Sequence, residues 1–134
     1  MEMSQLNYWA ILVAALSTFL LGGLWYSPAV FGTAWMCENG FTEERMKGGN
    51  LVKIFGLTFL LALIASVNLA MFLGSEANAT MGAFYGFLAG FGWVAMFIGT
   101  HYLFERKSLK LFLINAGYSV VALTIMGLII GAWK

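Results

Sequence analysis

The chain has 134 residues, 61% of them hydrophobic and only 10% charged, with seven basic and six acidic side chains for a net charge of +1. A soluble domain carries roughly a quarter charged residues, so this composition excludes a water-soluble globule, and the near-neutral balance excludes a basic field for nucleic acid. A single cysteine, Cys37, and a single histidine, His101, exclude an intrachain disulfide, a Cys-x-x-Cys redox pair, a thiolate zinc site and a bis-histidine haem within one chain.

The charges cluster and leave uncharged runs at 3–37, 54–75, 77–104 and 111–133, each longer than the roughly 18 residues that suffice for a membrane span. Helices are expected over 7–26, 51–73, 81–104 and 109–132. Lipid satisfies no loose backbone groups, so such runs form helices or barrel strands, and the lack of period-two alternation excludes strands. The fold class is all-α: a single integral membrane domain over 1–134, a bundle of four transmembrane helices with a short interfacial helix in the first loop.

In chain order, the first helix follows Glu2 with no lysine or arginine ahead of it. No small-x-small site ends it, so it reads as a retained span and not a signal peptide. In the loop from 27 to 50, Ser27 is expected to cap a short helix with Pro28 at its first position, placing Val30, Phe31, Ala34 and Trp35 on one side. Asn39-Gly40 ends it, Thr42 caps a further turn carrying Glu43, Glu44 and Arg45, and Gly48-Gly49-Asn50 leads into the second span. Arg45, Lys47, Lys53, Arg106, Lys107 and Lys110 lie on two loops of one side, against Lys134 on the other. That asymmetry puts the two loops in the cytoplasm and both termini outside, with the 74–80 turn. Asn78-Ala79-Thr80 is a glycosylation sequon too close to the bilayer for use and reads as a chance match.

Leu21-Gly22-Gly23-Leu24-Trp25-Tyr26-Ser27-Pro28, followed by Phe31-Gly32 and Trp35, resembles the signature of the domain-of-unknown-function 1761 family of small bacterial membrane proteins. Tyr102, Phe104, Glu105, then Leu109-Lys110-Leu111-Phe112 and Asn115-Ala116-Gly117-Tyr118, are similar to that family's third-loop and fourth-helix pattern. The resemblance covers nearly the whole chain. It implies four helices in a bacterial membrane, here the cytoplasmic one, and carries no activity or catalytic residues with it.

In the third span Gly82, Gly86 and Gly90 recur every four residues, the spacing of close helix packing. Gly92 and Gly99 fall on nearly the opposite side, so this helix is expected to be central and packed on both faces. Thr18, Thr58, Thr100, His101, Asn115, Tyr118 and Ser119 collect toward the cytoplasmic half. Asn115, Tyr118, Ser119 and Ala122 share one face of the last helix, a polar stripe unsuited to lipid, with His101 in the same layer. His101, Asn115, Tyr118, Ser119, Thr100 and Glu105 are therefore the candidate ligand-binding residues, against the alternative that they only bond helix to helix. His101 and Glu105, four apart, could exchange a proton near neutral pH, or serve structure alone. Asn68 is expected to pair with Tyr85 across the bundle. Trp25, Tyr26 and Trp35 on one side, and Tyr8, Trp9 and Trp133 on the other, match two aromatic belts.

The leading functional expectation is a homo-oligomeric pore or small-solute transporter, since four short spans enclose little volume. No carboxylate lies deep in a span, which favours uncharged solutes or anions over cations. The alternative is a lipid- or quinone-binding, or partner-binding, membrane scaffold. An enzyme is least supported: Cys37 and His101 have no partners at catalytic spacing, so no catalytic residue, metal or cofactor is assigned. The expected partners are membrane lipids, further copies of the chain and a small-molecule ligand.

Overall fold

Each long apolar run begins where a side chain can hold the first turn. Asn7, Asn50, Asn78 and Ser108 accept the backbone N–H groups of Ala10, Lys53, Met81 and Leu111 at 2.9–3.1 Å, covering one of the unpaired donors that every helix start exposes. The computed structural model describes residues 6–42, 44–45 and 49–133. Glu43, Lys47, Gly48 and Lys134 lie outside them, with the expectations made for those residues. Behind the caps run α1 (Tyr8–Trp25), α3 (Leu51–Leu73), α4 (Ala79–Glu105) and α5 (Leu109–Ala132), and the first loop contributes the short α2 (Gly32–Asn39). The helices are long and apolar enough to cross a membrane, and the chain is an integral, multi-pass all-α membrane protein. Leu20, Val52, Leu103 and Phe104, each more than three-quarters exposed, are lipid-facing surface in such a protein.

Asn78 thus has a local structural task as the α4 cap. Thr42 accepts the Arg45 N–H at 3.2 Å, as a capping residue should. Ser27 does not cap. Its hydroxyl donates back to the Leu24 carbonyl at 2.6 Å, and its own carbonyl accepts from Val30 and Gly32 at 3.1 and 2.8 Å. The chain spends residues 26–31 on a tight turn, and α2 begins only at Gly32. A methyl group on Gly32 would run into the Tyr26 and Ser27 carbonyl oxygens, so the turn closes only around glycine.

The principal helix contact is antiparallel, α4 on α5. A methyl on Gly82 would strike the backbone of Gly127, and one on Gly127 would strike Gly82. Gly86 lies against the Leu123 carbonyl and Gly131 against that of Asn78, while a methyl on Gly90 would sit 2.8 Å from the Val120 Cα. With backbone on backbone, the two helices gain dispersion contacts that lipid tails cannot match. α5 is the central helix, in contact with α1, α2, α3 and α4. The expectation of α4 at the centre is corrected accordingly, because α5 supplies small residues, Gly127 and Gly131, to the same seam.

The buried core, with Ile11, Ala14, Leu69, Ala70, Met126 and Ile130, sits at the end of the bundle opposite the basic loops. Buried Ser66 there donates to the Ile11 carbonyl at 2.8 Å and ties α3 to α1. The Asn7 amide donates to the Trp133 carbonyl at 2.9 Å. Asn68 does not pair with Tyr85: its amide donates to Ile64 of its own helix at 2.8 Å, and Tyr85 instead packs edge-on against Phe72. Toward the basic end the bundle loosens, and residues 51–58 of α3 are all exposed.

Replacing Gly86 by Leu should force α4 from α5 and cost about 1–3 kcal/mol or more, as overpacking does. Reversible unfolding in mixed micelles would measure it, with lipid-facing Leu88→Ala as the near-neutral control; equal stability of the two variants would contradict the seam.

Candidate functional site

At the basic end, where Arg45, Lys53, Arg106, Lys107 and Lys110 gather, the gap left by the loosening helices is closed by aromatic rings and one amide. The turn after α1 swings Trp25 and Tyr26 inward. The Trp25 indole N–H donates to the Ile114 carbonyl at 2.9 Å, and its ring lies 4.9 Å from that of Phe31. The Tyr26 hydroxyl donates to Asn115 Oδ1 at 2.7 Å, and Asn115 Nδ2 donates to the Tyr102 hydroxyl at 2.6 Å. One amide thereby joins the end of α1, the end of α4 and the start of α5. Tyr118 donates to the Thr18 carbonyl at 2.9 Å. Tyr26 packs on Tyr118 and Trp35, Trp35 on Phe41, and the Arg45 guanidinium covers the Phe41 ring at 4.7 Å. Room for these rings comes from glycines: a methyl on Gly117 would sit 3.2 Å from the Trp25 ring, and one on Gly22 would sit 3.4 Å from the Tyr118 hydroxyl.

The polar stripe of α5 is therefore spent inside the chain. Asn115 and Tyr118 bond to α1, its following turn and α4; the Ser119 hydroxyl donates to the Asn115 carbonyl at 3.3 Å. Thr100 is exposed and donates to Met96 of its own helix at 2.9 Å. His101 and Glu105 are exposed, and no ion pair or hydrogen bond joins them to each other or to the cluster. Of the six candidates the structure brings together Asn115, Tyr118 and Ser119, and leaves Thr100, His101 and Glu105 on the outside.

The reason is a helical irregularity. Between Gly90 and Ala95 α4 is a π-helix, which accommodates an extra residue in the turn. Beyond it each side chain is displaced by one position, so Ala95, Gly99 and Tyr102 continue the face begun by Gly82, Gly86 and Gly90. A uniform 3.6-residue period would have put His101 where Tyr102 stands. The same insertion corrects the expected second glycine face: Gly99 turns toward Phe112 of α5, whose ring a methyl there would meet at 3.3 Å, while Gly92 has nothing within 4 Å.

Gly99 also opens a half-open cavity of about 290 Å³ between α4 and α5 at the basic end, lined by Tyr102, Leu103, Lys107, Ser108, Leu109 and Phe112. Its wall is mostly hydrocarbon, with one ammonium, one phenol and the Ser108 hydroxyl. The Tyr102 hydroxyl accepts from Asn115 and has no acceptor for its own proton among the described residues. Ser108 is held by Glu38 of α2, whose carboxylate accepts its hydroxyl at 2.8 Å. Sequence reasoning missed Trp25, Tyr26 and Tyr102, since aromatic residues at span ends read equally well as belt anchors. Tyr8, Trp9 and Trp133, all largely exposed, do have the placement of a belt.

Two segments far apart in the sequence, 22–35 and 102–118, thus meet in one cluster. A family model for proteins of unknown function, DUF1761, matches residues 9–131. The chain belongs to that family. The match takes in both halves of the cluster and the whole glycine seam, so the DUF1761 fold of this chain is the complete four-span bundle. No curated protein and no solved structure matches significantly.

In this DUF1761 member Asn115→Leu should cost about 1–3 kcal/mol, because it removes two hydrogen bonds and orphans two phenols. Tyr26→Phe and Tyr102→Phe should each cost less, and a double-mutant cycle between them should show coupling only while Asn115 is present. Additive effects in that background would mean that the amide does not connect them.

Proposed function

We propose that the protein binds an amphiphile of a bacterial cytoplasmic membrane, a lipid- or quinone-like molecule held in the cleft between α4 and α5. The observation that carries this reading is the pairing of a spent polar stripe with an apolar, half-open cleft. Asn115 and Tyr118 are occupied within the chain, so they offer a passing solute little, whereas Leu103, Leu109 and Phe112 offer an apolar tail a wall. The volume, about 290 Å³, lies just below the roughly 300–1,000 Å³ usual for small-ligand sites, which suits one chain or ring rather than a whole lipid. Lys107 and Tyr102 supply a cation and a free O–H for a polar head at the rim.

The orientation that goes with this reading has the basic loops in the cytoplasm and both termini outside, from the asymmetry of lysine and arginine. The cleft then faces the inner leaflet. A homo-oligomeric pore or small-solute transporter is the second reading, favoured by His101 and Asn68, polar groups on the outer surface of the chain that only a neighbouring copy would enclose.

Gly99→Leu should fill the cleft, and Leu109→Asp should put a carboxylate in its apolar wall while leaving the helix start undisturbed. Native mass spectrometry of protein extracted in mild detergent should show a co-purified amphiphile that both variants lose about tenfold or more. Full retention by both would reject the cleft; a defined oligomer with His101 shielded from water-soluble reagents would favour the second reading. In a Cys37→Ser background, a cysteine at Ser75 should react with an impermeant maleimide from outside and one at Thr42 should not. The reverse pattern would invert the topology.

A further inference from the structure

We propose that the π segment of α4 is a register switch that opens and fills the α4–α5 cleft. The inference rests on the amphiphile reading for what the cleft holds, but not for the motion itself. If the extra residue of Gly90–Ala95 is expelled and the segment becomes α-helical, everything beyond it turns by one residue, about 100°. Val94, Ile98 and His101 then stand where Ala95, Gly99 and Tyr102 stood. Ile98 replaces the glycine that faces Phe112, and the cavity is filled by a side chain of the protein itself.

The two halves of α4 are held very differently. Before the π segment Gly82, Gly86 and Gly90 lie against the α5 backbone, which fixes that half. After it no residue of Met96–Glu105 is buried. The π register there is retained by the Tyr102–Asn115 hydrogen bond, the Gly99–Phe112 contact and the edge contact of Trp93 with Phe72 at 6.0 Å. Within the segment a methyl on Gly92 would meet nothing within 4 Å, while Gly90 and Ala95 at its two ends are buried.

The second register also leaves Asn115 a partner. An imidazole brought to the place of the phenol can accept from Nδ2 as the Tyr102 hydroxyl does. Residue 101 is the chain's one histidine, and no hydrogen bond or ion pair among the described residues holds it in the present state. The turn into α5 must give, and it is already strained: Arg106 lies at φ 59°, the one non-glycine residue with positive φ among those described. An amphiphile in the cleft favours the π register and lowers the population of the second register without emptying it.

The test uses the full chain labelled with ¹⁵N-glycine in lipid bicelles. Gly92 and Gly99 should show doubled resonances or relaxation dispersion on the microsecond-to-millisecond scale, while Gly82 and Gly86 stay single and quiet. Tyr102→Phe, which loses the hydroxyl that holds the π register, should raise the minor population about fivefold. Deleting Gly92 gives the small-residue ladder an uninterrupted four-residue step and should abolish exchange at Gly99. A quiet Gly99 in the parent, an unchanged population in Tyr102→Phe, or undiminished exchange in a folded Gly92 deletion would each overturn the switch. Amphiphile retention is read separately by mass: exchange without a bound amphiphile removes the binding reading and keeps the switch, and a bound amphiphile without exchange does the reverse.

Discussion

The contact on which the rest of this bundle depends is backbone against backbone between α4 and α5. Inside a membrane there is no hydrophobic gain from pressing one apolar helix on another, since lipid tails are as apolar as leucine. What favours association is close approach, and glycine permits the closest. Gly82, Gly86 and Gly90 on one helix, with Gly127 and Gly131 on the other, bring the two together along the half away from the basic loops. α1 and α3 then pack around α5, and the core gathers at the same end.

At the other end the helices need a different fastening, because α4 leaves the glycine seam and the start of α3 is largely exposed, touching α1 through the Phe55 and Phe59 rings against Phe19. Hydrogen bonds supply it. Asn115 takes one bond from Tyr26 and gives one to Tyr102, and Trp25 reaches over to a carbonyl of α5. An amide has two acceptor sites and two donors, so one asparagine can join two phenols of different helices, which a serine could not do at this separation. The tight turn at Gly32 is what brings Tyr26 and Trp25 within reach. The segment 22–35 is therefore a fold-back, and 102–118 is the surface that receives it, both within the stretch that the family model matches.

Much of this was legible from residue order. The four spans follow from the spacing of charges, and Asn50 marks the approach to α3. The packing role of Gly82, Gly86 and Gly90 is visible in their spacing, and its continuation was available too: small residues stand at 82, 86, 90, 95 and 99, with one five-residue step that marks the π segment. A fixed period of 3.6 cannot represent that step, and it therefore sends His101 to the seat of Tyr102. Trp25 and Tyr26 read as belt residues because composition at a span's end says nothing of whether the chain then turns back. Asn115 stood out as an amide that lipid could not face, but its partners lie 89 and 13 residues away and no local pattern reveals them.

That α5 is the hub has a bearing on how the chain is made. Ribosomes deliver spans in order, and this one comes last of the four. Until it leaves the insertion machinery, the glycine face of α4 meets lipid, the Trp25 indole has no carbonyl to bond, and Tyr26 has no amide; α1 and α3 can already join through Ser66 and the Ile11 carbonyl. The last of the four spans is the one through which the other three become a single body.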